Sequence, residues 1–210
     1  MTEKPVQRRP GGRTARNREN VLRATADLLL SEGYEQLTFA RVAAAADVAE
    51  TTVYRRWPSK VHLAADALSE LARVENPIPD TGTLEGDLRE LLSQVVALIE
   101  RPEVRRVILT VVSLAGDAEV VRAKEVFWEA RFAGAATIVS RAVERGELPS
   151  DTDPYEVIED LAAPAYFRLL VTGRPLDSRL VERSVALALN GPNIRSMPGP
   201  DRHTSASIHG

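Results

Sequence analysis

Residues 37–63 constrain the fold more than any other part of this sequence. Their pattern of alanines, valines and polar residues predicts two short helices joined by a tight turn, then a Pro-Ser-Lys sequence that opens a third helix. Two helices this short bury little apolar surface by themselves, so other helices must pack against them.

Single residues predict where these helices begin and end. A preceding helix over about 16–32 is expected to end at Gly33, which is typical of a left-handed cap. Thr38 is expected to cap the first short helix, because its hydroxyl can accept a hydrogen bond from a free backbone amide. Pro58 ends the second short helix, and Ser59 caps the helix that follows.

The second short helix is predicted to have an apolar and a polar side. Val53 and Trp57 lie four residues apart and are expected to face inward. Hydroxyl, guanidinium and ammonium groups contact phosphates and base edges in DNA. The exposed residues of this kind in the stretch are Thr38, Arg41, Thr51, Thr52, Tyr54, Arg55, Arg56 and Lys60. Lys60 has the wrong charge for the first turn of a helix, and a bound phosphate would remove that conflict.

Charge is distributed unevenly along the chain. The net charge is −3, yet residues 1–60 hold eleven Lys/Arg against seven Asp/Glu, and the rest holds sixteen against twenty-three. A basic N-terminal part and an acidic remainder suit a protein that binds a polyanion with one end. Chance clustering of charged residues is the alternative. Residues 1–15 are predicted to be a disordered basic arm that contacts DNA or remains a solvated tail.

Composition argues against several classes of protein. The chain has no cysteine, which excludes disulfides and thiolate zinc sites. The apolar run over 107–115 is too short to cross a bilayer, and the polar N-terminus does not resemble a secretory signal. We therefore expect no membrane partner and a cytoplasmic location, on the nucleoid when DNA is bound. No nucleophile elbow, phosphate loop or metal-ligand pair is present, so no catalytic residue, metal or cofactor is expected.

The remaining sequence predicts further helices and no strand, and hence an all-α fold. The segment 75–82, with two prolines and a glycine, breaks the helical pattern. We predict a DNA-binding domain over 16–62, a larger helical domain over 63–192, and a helix over about 61–74 where they meet. Later helices are predicted over 84–101, 104–115, 119–145, 154–171 and 177–189, and Asp177 is expected to cap the last of them. The helix over 104–115 is apolar nearly all round and is expected to be buried centrally, Pro164 predicts a kink, and 193–210 is predicted to be a disordered tail.

The segment GYEQLTFARVAAAADVAETTVYRRWPSKVHLAADAL (33–68) closely resembles the N-terminal domain of the TetR family of bacterial transcription regulators. Shared features are the glycine ending helix one, Leu-Thr, an alanine-rich helix, a turn valine, Thr-Val-Tyr, and an aromatic residue followed by x-Ser-Lys. The resemblance implies a homodimer that binds operator DNA through a helix-turn-helix and an inducer through an all-helical C-terminal domain. It also implies that the DNA contacts are Thr38, Arg41, Thr51, Thr52, Tyr54 and Lys60, and that Arg55 is at a position that often reaches the DNA backbone.

Two residues depart from the family pattern. Asp47 replaces the glycine that is usual in the turn, and aspartate tolerates left-handed backbone geometry better than most residues. Glu50 places an anion at the start of the recognition helix. It could accept a hydrogen bond from a cytosine amino group, or favour the helix dipole without touching DNA; we favour the second interpretation.

The last two predicted helices carry more apolar surface than one packed face requires. We predict that two such helices from each of two chains form a four-helix bundle, with packing inside one chain as the alternative. The segment APAYFRLLVTG (163–173) also resembles one subfamily of TetR C-terminal domains. The predicted dimer residues are Ile158, Leu161, Ala162, Ala165, Val181, Val185 and Leu189.

A small-molecule pocket in the helical domain needs aromatic walls and a few polar groups. The candidates are Phe127, Trp128, Arg131, Phe132, Tyr166 and Phe167, although each could equally serve as ordinary core. The combined prediction is a dimeric DNA-binding regulator, a repressor that a small-molecule effector releases from a palindromic operator, and not an enzyme. The alternative is a helical ligand-binding or structural module without operator-specific DNA binding.

Overall fold

The computed structural model describes residues 12–191. This part of the chain consists of α-helices and one π-helical turn, and it contains no β-strand. The all-α prediction is therefore confirmed. The predicted tail over 193–210 and most of the predicted arm over 1–15 lie outside the described residues.

Nine α-helices occur between residues 12 and 191. They are α1 Gly12–Glu32, α2 Phe39–Ala45, α3 Glu50–Arg56, α4 Lys60–Glu75, α5 Leu84–Glu100, α6 Pro102–Ser113, α7 Ala118–Glu144, α8 Pro154–Phe167 and α9 Ser178–Asn190. Residues 12–15, which were assigned to the disordered arm, instead form the first turn of α1. No proline or glycine lies between Arg13 and Glu32, so nothing in that sequence prevents the helix from starting this early.

The predicted helix caps are present. The Thr38 side chain accepts a hydrogen bond from the Arg41 amide at 3.3 Å, and Asp177 caps α9 by accepting from the Leu180 amide at 3.0 Å. Gly33 has a φ of +90°, a left-handed conformation that side chains larger than hydrogen rarely adopt. These local signals set the helix ends where the sequence placed them.

The described chain divides into two compact units. One comprises the chain up to Pro77 together with Ser93–Arg131, and the other comprises Ile78–Leu92 and the chain from Phe132 onward. The first boundary falls in the predicted break over 75–82. The functional division into 16–62 and 63–192 stays a prediction, because compactness alone assigns no role to either part.

The first unit has its core among α1 to α4. Buried apolar side chains from all four helices form one cluster, which includes Val21, Leu22, Leu29, Leu37, Val42, Val53, Trp57, Leu63 and Ala67. The alanines Ala43 and Ala46 are buried too, and their small size lets α2 pack closely. This cluster supplies the support that two helices as short as α2 and α3 require.

Helix α6 is not the central buried helix that the sequence suggested. Val104 and Val107 are buried, but Leu109 and Val112 are 45% and 51% exposed. The exposed pair lies on the opposite side of the helix from the buried pair. The apolar run was therefore a poor guide to burial, since it does not reveal how many neighbours surround a helix.

In the second unit, α8 and α9 pack against each other. Pro164 lies inside α8, and the regular helix gives way a few residues later to a π-helical turn, Arg168–Thr172. Gly173 follows in the left-handed conformation with a φ of +63°. The buried Asp87 carboxylate accepts hydrogen bonds from the Thr81 amide at 2.6 Å and its hydroxyl at 2.8 Å, which holds the segment before α5 in place.

Candidate nucleic-acid interface

Helix α3 has one buried and one exposed side. Val53 and Trp57 are buried in the core of the first unit, as the sequence predicted. Thr51, Tyr54 and Arg55 are exposed, and Thr52 is half-buried. The exposed side therefore presents two hydroxyl groups and a guanidinium group outward on one short helix.

Polar contacts tie the end of α3 to the neighbouring helices. The Trp57 indole Nε1 donates a hydrogen bond to Asp66 Oδ2 on α4 at 3.0 Å. Arg18 on α1 contacts the same carboxylate oxygen at 3.4 Å. Because the buried indole has an acceptor, Trp57 can fill the core without leaving a polar group unpaired.

The turn between α2 and α3 is built around Asp47. Its φ of +53° is in the left-handed region, which agrees with the prediction that aspartate replaces a turn glycine here. The Val48 amide donates to the Ala43 carbonyl at 3.0 Å, and Val48 is half-buried against the core. These contacts fix the direction in which α3 leaves the turn.

Tyr54 is the most exposed aromatic side chain of the stretch, at 58% of its surface. Its ring makes an edge-to-face contact with Phe39 of α2, with the centroids 4.5 Å apart and the planes at 83°. Such a contact restricts the ring without burying it. Tyr54 is therefore oriented before any partner arrives.

Lys60 is the first residue of α4 and is half-buried. Its Nζ donates a hydrogen bond to the Tyr34 carbonyl at 3.2 Å and lies 4.2 Å from the centroid of the Tyr34 ring. Burial, followed by the charge of Glu119, raises the pKa of the Tyr34 hydroxyl, so this ring stays neutral. The ring and the carbonyl thus offset part of the unfavourable interaction between the lysine charge and the N-terminus of α4. The sequence had suggested that a bound phosphate would do this.

Arg41 is exposed on α2 but already engaged. Its guanidinium donates to Glu32 Oε1 at 2.6 Å and to the Gln36 carbonyl at 3.2 Å. Exposed ion pairs contribute about 0–1 kcal/mol, so a phosphate could replace the Glu32 carboxylate at small cost. On α3, the Arg56 guanidinium lies 5.8 Å from the centroid of the Trp57 ring.

Glu50 opens α3, and the capping residue before it, Ala49, provides no side-chain hydrogen bond. An anion in the first turn therefore stands where the helix dipole favours it. This placement is consistent with the dipole interpretation of Glu50, while any contact with DNA stays a prediction.

A contact that sequence reasoning missed lies at the start of α4. The Ser59 hydroxyl, which caps α4 as predicted, donates a hydrogen bond to Oε1 of Glu119 on α7. Nδ1 of His62 lies 3.0 Å from the same oxygen. Ser59 and Glu119 are 60 residues apart in the chain, so no local pattern could have indicated that they meet.

The predicted pocket residues are divided between the two units. Phe127, Trp128 and Arg131 belong to the first unit, and Phe132, Tyr166 and Phe167 to the second. Phe127 and Trp128 form an edge-to-face pair with centroids 5.3 Å apart. In the second unit, Phe132 stacks on Tyr155 at 5.6 Å, a partner that the sequence did not suggest. A pocket role for the six residues stays a prediction.

Arg131 has a specific place in the first unit. Its guanidinium donates to the carbonyls of Ala72 at 3.3 Å and Asn76 at 3.4 Å, at the end of α4. A cation at a helix C-terminus satisfies carbonyl groups that lack partners in the helix and complements the dipole. Its capping of α4 explains Arg131 without a ligand.

Most of the predicted dimer residues lie inside the chain, and their role in a dimer stays a prediction. Ile158, Leu161, Ala165, Val181 and Val185 are buried within the chain itself, and Ala162 and Leu189 are half-buried. Helical periodicity identified the apolar faces of α8 and α9 correctly, but these faces pack against each other in one chain. The five buried side chains are therefore not free surface for a second chain.

Between residues 12 and 191, no group of three or more His, Cys, Asp or Glu side chains is placed to hold a metal ion. Within the same range, no helix is both long enough and apolar enough to span a membrane.

Comparisons with known proteins match both parts of the chain. Residues 21–67 match the model of the bacterial regulatory proteins of the tetR family, and residues 78–188 match a tetracyclin repressor-like C-terminal domain. The HTH-type transcriptional regulator AqdR of Rhodococcus erythropolis is 33% identical over 179 residues, covering 85% of this chain and 86% of AqdR. The HTH-type regulator YdeS of Bacillus subtilis (strain 168) is 28% identical over 174 residues, 81% of this chain and 87% of YdeS.

Among solved structures, the crystal structure of the TetR family transcription regulator SCO0332 is similar to this chain. The TM-score is 0.75 and the sequence identity 34%, over 83% of this chain and 97% of that one. The similarity therefore extends beyond the helix-turn-helix into the C-terminal helices. The chain belongs to the TetR family of bacterial DNA-binding transcription regulators.

Proposed function

We propose that this regulator is a cytoplasmic repressor that binds a palindromic operator as a homodimer and is released by a small-molecule effector. One observation carries the proposal: Val53 of α3 and Trp57 directly after it are buried, and Thr51, Tyr54 and Arg55 are exposed on the other side of the helix. A short helix with hydroxyl and guanidinium groups on its outer side fits the major groove of DNA.

The exposed groups would divide into two roles. Thr51 and Thr52, at the start of α3, would contact base edges and set sequence preference. Tyr54, Arg55 and Lys60 would contact phosphates, and Thr38 and Arg41 of α2 would add contacts beside them. Phosphate contacts set register and total affinity, whereas base contacts distinguish one operator from another.

Exposed apolar side chains support a dimer in the second unit. Phe167 and Val171 are 57% and 68% exposed, and they lie on the last residue of α8 and on the π-helical turn. Tyr155, Leu170 and Leu187 on the same elements and α9 are exposed as well. Large apolar side chains with this much exposure favour burial against a second chain, and a two-fold bundle would present each recognition helix to one half-site.

Contacts between α4 and α7 support control by an effector. Within the first unit, Glu119 of α7 meets the start of α4 and Arg131 of α7 meets its end. An effector that favours a different position of α7 would move α4, and with it the spacing of the two recognition helices. Phe127 and Trp128, also on α7, remain the proposed aromatic wall of the effector site.

Selection of bound fragments from the genome of the source organism tests the proposal. The purified protein should enrich a palindromic site whose half-sites lie about one or more helical turns apart. A reporter gene placed behind that site should be expressed less when the protein is present. Binding that is equal for all fragments would instead favour a helical module without operator-specific recognition, and raised expression would make the protein an activator.

A further inference from the structure

Three side chains meet where α4 begins. The Ser59 hydroxyl donates to Oε1 of Glu119 and accepts a hydrogen bond from the His62 amide at 3.3 Å. The His62 ring nitrogen Nδ1 lies 3.0 Å from both the Ser59 hydroxyl oxygen and Glu119 Oε1. The N-terminal cap of α4 is therefore shared with a residue of α7.

The carboxylate of Glu119 is itself held by a fixed helix end. Asp117 Oδ1 accepts hydrogen bonds from the Glu119 amide at 2.8 Å and the Val120 amide at 3.2 Å, which caps α7. Val120 is buried, so the first turn of α7 is also anchored by packing. Glu119 thus connects the capped start of α7 to the capped start of α4.

We propose that Glu119 is a positioning residue for DNA binding, because it holds Ser59 and His62 and so fixes the end of α4 from which Lys60 reaches a phosphate. The inference rests on the proposed function and extends it to regulation. If the first turn of α7 moves when an effector binds, Glu119 moves the phosphate-binding end of α4 directly.

A different role for the same carboxylate would be to compete with the phosphate as an internal anion. The contacts favour positioning over competition. In the described part of the chain, the Glu119 carboxylate contacts the side chains of Ser59 and His62. The backbone amides of Lys60 and Val61 have no acceptor there and remain available to a phosphate. The Lys60 ammonium group donates a hydrogen bond to the Tyr34 carbonyl and lies over the Tyr34 ring.

Three substitutions distinguish the effect of the length of the Glu119 side chain from the effect of its charge. Glu119→Gln keeps the length and an acceptor oxygen but loses the charge, Glu119→Asp keeps the charge but is one methylene shorter, and Glu119→Ala loses both. Glu125→Ala is the matched control, because Glu125 is exposed on α7 and its side chain makes no hydrogen bond or ion pair within residues 12–191. Operator affinity is measured at fixed salt on a selected fragment, and amide hydrogen exchange over 60–66 is measured without DNA.

If Glu119 acts by positioning, DNA affinity should depend on the length of the side chain at residue 119 and not on its charge. Glu119→Ala and Glu119→Asp should bind the fragment roughly tenfold more weakly and exchange faster over 60–66, since loss of one hydrogen bond changes an equilibrium by up to about that factor. Glu119→Gln and Glu125→Ala should stay within about threefold of the unaltered chain.

Other outcomes overturn the inference. If all three Glu119 variants bind more tightly, the carboxylate is a competing anion. If Glu119→Asp and Glu119→Ala exchange faster but bind DNA as the unaltered chain does, the triad is only structural. If the unaltered chain binds no fragment, the proposed function itself is wrong. If the unaltered chain and Glu119→Asp bind a fragment equally well, only the role of Glu119 is wrong.

Discussion

The ammonium group of Lys60 lies 4.2 Å from the centre of the Tyr34 ring and donates a hydrogen bond to the Tyr34 carbonyl at 3.2 Å. This contact links the first residue of α4 to the segment between α1 and α2. Neither the ring nor the carbonyl neutralises the lysine charge. The charge is therefore held in place and remains available to a DNA phosphate.

Replacing Lys60 by alanine should weaken binding to all DNA sequences and reduce its dependence on salt. Each phosphate contact contributes about 0.9 to the slope of log affinity against log salt concentration, so the slope should fall by about one. Fluorescence anisotropy between low and moderate salt measures this slope. Lys124→Ala is the control, because Lys124 is an exposed lysine of α7 and makes the same change in net charge. Equal slopes for both variants would contradict the role assigned to Lys60.

Removing the Tyr54 ring, or the Phe39 ring that contacts it, should also weaken DNA binding. Tyr54→Ala should lower affinity roughly tenfold on operator and unrelated fragments alike, as expected for loss of a hydrogen bond to a phosphate. Phe39→Leu retains an apolar side chain in the core but removes the edge-to-face contact at 4.5 Å, and should lower affinity in the same direction by less. Full affinity for Phe39→Leu at matched salt would show that the contact does not orient Tyr54.

The turn residue Asp47 provides a test of stability. A left-handed conformation costs L-residues about 1–2 kcal/mol, so Asp47→Val should lower the free energy of unfolding by about that amount. Asp47→Gly should lower it little or raise it, since glycine adopts this conformation freely. Asp27→Val, the same substitution on the exposed side of α1, should have an effect of only a few tenths of a kcal/mol. Denaturation by urea measures all three, and equal losses at Asp47 and Asp27 would contradict the backbone argument.

A charge placed on the exposed apolar surface of the second unit should separate the proposed dimer. Phe167→Glu and Val171→Glu should each yield monomers at micromolar concentration, measured by size-exclusion chromatography with light scattering. Val126→Glu on α7 is the control, because Val126 is equally exposed but lies in the first unit. If the unaltered chain is a monomer, the dimer proposal is wrong. If Val171→Glu is still a dimer, the interface does not include Val171.

Features that depend on neighbouring residues were predictable from the sequence. The caps at Thr38, Ser59 and Asp177 and the left-handed residues at Gly33 and Asp47 each follow from the chemistry of a few adjacent positions. The inward face of α3 followed from a spacing of four residues. These local rules sufficed to place the exposed groups of the candidate interface.

Features that depend on distant residues were not predictable in the same way. Periodicity showed that Val181 and Val185 lie on an apolar face, but not that α8 of the same chain covers it. The apolar run in α6 did not show that Leu109 and Val112 would be exposed. The contact of Ser59 with Glu119 has no signature in either segment, because hydroxyl and carboxylate groups occur on most helix surfaces.

The affinity of a Tyr54→Ala/Lys60→Ala double variant for a selected genomic fragment tests the DNA interface most directly. The measurement requires matched salt, the Lys124→Ala control, and an unchanged circular dichroism spectrum to show that the helices are intact. Loss of two hydrogen bonds to phosphates should weaken binding about a hundredfold or more. Binding of the double variant with the affinity of the unaltered chain would contradict the assignment of α3 and the start of α4 as the surface that contacts DNA.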